Sequence, residues 1–81
     1  MKLWILRPID GLVPDPWDNW YDKYFGFVVR AKSEDEARLI VSSGRCGDEG
    51  KEVWLDPSWT SCKHLTGDGN REVIIADFRG A

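Results

Sequence analysis

Tyr24-Phe25-Gly26-Phe27-Val28-Val29-Arg30-Ala31 runs through Lys32 into Ser33-Glu34-Asp35-Glu36-Ala37-Arg38 and on to Gly44, and this passage decides the fold class. Its first part is dense in aromatic and β-branched residues, which suit a pleated, buried surface, so Tyr24 to Ala31 reads as a strand at the centre of a sheet. Ser33 then opens a capping box: its hydroxyl accepts from the Glu36 amide while the Glu36 carboxylate returns to the Ser33 amide. Glu34, Asp35 and Glu36 also suit the positive end of a helix dipole. Ala37, Ile40 and Val41 form the buried stripe of that helix, Leu39 lies on its flank, and Gly44 with Arg45 supplies the stop. The helix spans about three turns.

Working outward towards the N-terminus, Lys2 to Arg7 predicts a short strand, with Trp4 and Leu6 alternating against Leu3 and Ile5 and Pro8 ending the ladder. Both of its faces are apolar. Ile9 to Lys23, rich in Pro, Gly and Asp, is longer than an ordinary connection, which marks a loop that is functional or packed by its own side chains. Within it, Asp15 can cap, Pro16 suits the first helical position and Asp18 falls in the first turn. One or two helical turns here would bring Trp17, Trp20, Tyr21 and Tyr24 onto one face and leave Asp18, Asn19 and Asp22 towards water.

Towards the C-terminus, Lys51 to Leu55 reads as a short strand around Val53 and Trp54, closed by Asp56-Pro57 and one turn through Trp59. Thr60 to Leu65 is another strand. Thr66-Gly67-Asp68-Gly69-Asn70 predicts a hairpin-type connection into a final strand, Arg71 to Phe78. The order of elements predicts an α+β domain spanning residues 1–81: a small, mainly antiparallel sheet of four to five strands, one main helix on one face and a long aromatic N-terminal loop. One helix cannot cover both faces of strands this apolar. The second face therefore calls for the aromatic loop, a second subunit or a binding partner.

Five Trp, three Phe and two Tyr in 81 residues give so short a chain the means to build a compact core. Eleven basic against fourteen acidic side chains, a net charge of −3, lack the electrostatic footprint of a phosphate-backbone binder, so direct nucleic-acid binding is not expected. The N-terminal stretch Met1 to Pro8 is too short an apolar run for a secretory core with a cleavage site and nothing approaches a membrane span, so the expected location is the cytoplasm. Cys46 and Cys62 allow one disulfide at most, and two free thiols in a reducing compartment are the expectation.

Trp and Tyr on a surface loop are the residues most often found as interface anchors. Trp17, Trp20 and Tyr21, with the neighbouring carboxylates Asp15, Asp18 and Asp22, are therefore the candidate partner-binding residues, affinity coming from the rings and selectivity from the acids. The plainer reading makes the loop a lid on the core, and the two overlap if Trp17 is buried and Trp20 exposed. Asp10, Asp15, Asp18 and Asp22, with Glu34, Asp35 and Glu36, could also compete with nucleic acid for a basic groove on another protein, although capping already explains several of them.

No catalytic, cofactor or metal site is predicted. Cys46, Asp48, Cys62 and His64 are the nearest thing to a ligand set, but Cys62 and His64 two apart on a strand lack a matching pair for zinc. As a nucleophile and base they lack an orienting third group. Gly67 to Asn70 lacks the oxygen spacing and terminal Glu of a calcium loop.

Lys2-Leu3-Trp4-Ile5-Leu6-Arg7-Pro8, Phe25 to Ala31, Ser33 to Arg38 and Val53-Trp54-Leu55-Asp56-Pro57 together resemble small proteins of bacterial and phage genomes. In size, acidity and lack of a catalytic motif the chain is similar to the anti-CRISPR class. That resemblance implies a non-enzymatic inhibitor of a host defence complex, with a host protein complex, nucleic-acid-binding in kind, as its partner. The alternatives are a structural accessory protein or homodimer, and a small Cys62/His64-dependent enzyme or metal protein.

Overall fold

The computed structural model describes residues 1–12 and 15–78. Three strands, β1 (Lys2–Pro8), β2 (Phe27–Ala31) and β3 (Thr60–Leu65), form one antiparallel sheet in the order β2-β1-β3. Helix α1 (Glu34–Gly44) and the single turn α2 (Glu52–Leu55) pack on one face, and a 3-10 turn (Pro16–Asn19) lies within the N-terminal loop.

The α+β class and the antiparallel sheet agree with the sequence reading; the strand order, strand number and several element boundaries differ. The central strand is β1, which pairs with both neighbours, while β2 is an edge that begins at Phe27 rather than Tyr24. Apolar residues on both faces marked β1 as much as β2, and β1 is the longer. Among the described residues the sheet has three strands, not four to five.

Lys51 to Leu55 is helical, and burial explains why. Val53 and Trp54, adjacent in sequence, are both buried, whereas a strand would send them to opposite faces. Gly50, at φ 80, turns the chain into α2. Residues 71–78 form no strand. Within 66–70 Gly69 alone has a positive φ, at 143, so the consecutive positive angles of a type I′ turn are absent there. Val73, Ile74 and Ile75 are consecutive rather than alternating, so they offer a ladder no single apolar face. All three are exposed, as is Phe78.

The helix entry follows the sequence closely: Ser33 Oγ accepts from the Glu36 amide at 3.2 Å. The Glu36 carboxylate reaches the Lys32 amide, one residue short of a reciprocal box. Ala37 and Val41 are buried as expected, but Ile40 faces outward and Arg38 takes the third inward position.

Even-numbered residues of β1 and β3 and odd-numbered residues of β2 face α1. Leu6, Ala31, Ala37, Val41, Val53, Trp54 and Trp17 make the core there, with Trp4, Phe27, Val29 and Cys62 packed against it. The aromatic loop closes this same layer. Trp17 is 2 % exposed and meets Trp54 edge-on at 5.6 Å, and Trp54 meets Phe27 edge-on at 4.9 Å. Trp17 and Trp20 therefore add to the helical layer rather than to the second face of the sheet.

Candidate functional site

Two buried charged residues fix the frame from which the loop projects. Arg38 spreads its guanidinium over three elements: Nε donates to Glu34 Oε2 at 3.1 Å, Nη1 to the Trp54 carbonyl and to Thr60 Oγ1 at 2.9 Å each, and Nη2 to the Thr60 carbonyl at 3.0 Å. Thr60, fully buried, donates its own hydroxyl proton to the Val53 carbonyl at 2.7 Å. Arg38 thus ties α1 to the end of α2 and the start of β3, and a planar five-donor group suits carbonyls arriving from different directions.

Glu49 does the complementary work for the loop. Its Oε1 accepts from the Gly47 and Tyr24 amides at 3.1 and 3.3 Å, and its Oε2 accepts from Trp54 Nε1 at 2.8 Å. Next to it, Asp48 takes the Asp22 amide on its carboxylate at 3.0 Å, and its own amide donates back to the Asp22 carbonyl. Gly47 lets these chains approach, since a Cβ there would collide with the Asp22 carbonyl and the Glu49 carboxylate. Arg38 and Glu49 were not singled out in the sequence. The available signal was a charged residue inside each apolar pattern, Arg38 beside Ala37 and Val41, and Glu49 ahead of Val53 and Trp54.

On this frame the six predicted binding residues take different places. Trp17 is a core residue: its Nε1 donates to the Tyr24 carbonyl at 2.8 Å, its carbonyl accepts from Lys23 Nζ, and its ring is hidden. Burial corrects its assignment as an interface anchor. Asp15 caps the 3-10 turn by accepting from the Trp17 amide at 2.9 Å, so the Asp-Pro entry works as the sequence indicated. Trp20 is half-buried, edge-on to Trp17 at 5.2 Å and tilted against Trp59 at 6.2 Å, which leaves one side of the ring outward.

Tyr21 is 95 % exposed, and the Asp18 and Asp22 side chains near it in sequence are exposed as well. The four rings do not share one helical face, because the 3-10 turn ends at Asn19. What the loop presents to solvent is the Tyr21 ring and the Asp18 and Asp22 carboxylates, with Trp20 half-buried against Trp17 and Trp59 and Trp17 itself in the core.

Cys62 and His64 both lie on the α1 side of β3, as residues two apart must, but His64 stacks at a tilt on Trp4 with centroids 5.3 Å apart. Cys46 sits at the end of α1, its Sγ 3.7 Å from the Val41 and Ser42 carbonyls. Burial pushes both thiols above the ordinary cysteine range, and for Cys46 the Glu49 and Glu52 carboxylates add to that. Thiols held protonated are poor nucleophiles at neutral pH. Among the described residues no three His, Cys, Asp or Glu side chains converge as metal ligands, and no helix is long and apolar enough to cross a membrane.

Comparison with protein-family models, curated proteins and solved structures finds no match for this chain.

Proposed function

We propose that the chain is a non-enzymatic protein-interaction module that binds through the rim formed by Tyr21, the outer edge of Trp20 and the carboxylates of Asp18 and Asp22. The observation that carries this reading is Tyr21, almost wholly exposed on a loop whose base is locked by Trp17, Glu49 and Asp48. A large ring held out on a fixed support loses little freedom on binding, which is how aromatic anchors gain their share of affinity. The flanking acids would favour a partner with a basic surface and speed its approach. A nucleic-acid-binding complex of a host cell has such a surface, and an inhibitor of a defence complex carried by a phage or mobile element is the setting in which this binding would matter.

The test is affinity capture from bacterial lysate with the wild-type chain and with Tyr21→Ala at matched thermal stability. A protein retained by the wild type and lost by Tyr21→Ala supports the proposal; equal retention by both removes the rim from it. Self-association is a second reading, favoured by Leu39 and Ile40, exposed side by side on α1. A solution mass that rises with concentration and falls back in Ile40→Glu would support that alternative.

A further inference from the structure

The sheet face turned away from α1 carries side chains that neither the core nor the loop uses. The strand register places them in rows. Leu3 stands between Arg30 and Leu65, Ile5 between Val28 and Lys63, and Arg7 beside Ser61. Arg7 also lies across Gly26, where a Cβ would come within 2.9 Å of its Cδ and 3.1 Å of Nη1. Each row thus pairs small or apolar neighbours with one cation, and the three cations come from three different strands. No ion pair joins Arg7, Arg30 or Lys63 to another described residue. Alongside Ile5, Arg7 and Lys63 runs a groove of about 440 Å³, with Ile74 on its C-terminal side and Asp10 as the acid on its rim.

A chain of net charge −3 therefore presents a face whose strand positions carry only positive charge. We infer that this face is a docking surface for an acidic amphipathic helix of a protein partner. Laying a helix there covers the half-exposed Leu3, Ile5 and Leu65 and the exposed Val28, and completes a helix-sheet-helix sandwich. Arg30 and Lys63 stand on the two outer strands and two residues apart along them, roughly 12 Å on the diagonal at the usual strand spacing and rise, close to the width of a helix. An apolar stripe with carboxylates on either flank would place its acids against both.

Nucleic acid fits this face less well, because sheet surfaces that hold single strands do so by stacking bases on aromatic rings. The strand aromatics, Trp4 and Phe27, point to the opposite face. The surface is separate from the Tyr21 rim, so the inference stands or falls without it.

The test uses the full chain and a synthetic helix-forming peptide of about 18 residues, Leu at i, i+3, i+4 and i+7 and Glu on the flanks, followed by amide NMR. A matching peptide with Lys for Glu and a single-stranded oligonucleotide serve as competing probes. Saturable shifts at Leu3, Ile5, Val28 and Lys63 are expected with the Glu peptide alone. Affinity should fall about tenfold or more in Arg30→Glu/Lys63→Glu and decline with added salt. Arg30→Gln/Lys63→Gln, which removes charge without reversing it, should give a smaller loss with an unchanged spectrum elsewhere. The inference is overturned by equal binding of the Lys peptide, by preference for the oligonucleotide, by shifts confined to α1 or the loop, by a mass that grows with concentration through this face, or by no saturable shift at millimolar peptide.

Discussion

At Arg38 and Glu49 a small core accepts charged groups because each meets several hydrogen-bonding partners. Truncating Arg38 to Ala strands the Trp54 and Thr60 carbonyls and frees the Thr60 hydroxyl from its donor. A loss of about 2–4 kcal/mol is expected in urea unfolding, and Arg38→Lys should recover little of it because an ammonium cannot fork across these acceptors. Glu49→Gln keeps the shape, but its single carbonyl oxygen can serve either the Gly47 and Tyr24 amides or the Trp54 indole, so its NH2 faces donors on the other side, at a cost of about 1–3 kcal/mol. Trp17 and Tyr21 provide the contrast within the loop. Trp17→Ala should cost about 3–5 kcal/mol, while Tyr21→Ala should stay within about 0.5 kcal/mol of the parent, both read from thermal or urea midpoints.

Among the elements, the turn between α2 and β3 carries a pH dependence of known sign. The Asp56 carboxylate accepts from the Ser58 hydroxyl at 2.6 Å and its amide at 2.9 Å, and these bonds hold its pKa below the ordinary aspartate range. A carboxyl depressed in the folded state stabilises fully above its unfolded value, about 3.9, and loses that contribution as pH falls through the lower folded value. The stability gap between wild type and Asp56→Ala should therefore narrow below about pH 4 in unfolding curves taken from pH 6 to 2.

Local signals made this turn, the Ser33 cap and the Asp15-Pro16 entry readable in advance, because capping depends on residues a few positions apart. Strand order and the fate of 51–55 and 71–78 depend on distant partners. Val53-Trp54 has strand propensity but takes a helical turn that buries both side chains, Trp54 against Phe27 and Trp17, and a window of five residues does not contain that information. The Arg38 clamp was hidden for the same reason, since its acceptors lie 16 and 22 positions away.

For the whole molecule, the expected shortage of cover on the second sheet face persists in the fold. The rings of Trp17 and Trp20 share one layer with α1 and α2, while at the other face Ile9, Asp10 and the exposed Ile74 only border the groove beside Ile5 and Lys63. The chain is thus two-sided: an acidic rim with an outward tyrosine in the helical layer, and a basic apolar face on the sheet. The six candidate residues were legible as a cluster but not by role. Aromatic content alone cannot separate Trp17, which the core needs, from Tyr21, which it does not.

The central claim, binding through the rim, is tested most directly by measuring the affinity of a purified captured partner for the wild type, Tyr21→Ala and Asp18→Asn/Asp22→Asn, each with its unfolding midpoint. The account predicts unchanged midpoints, a loss of at least about 2 kcal/mol in binding for Tyr21→Ala, and slower association for the Asn pair. Undiminished affinity in Tyr21→Ala at the same stability would contradict it.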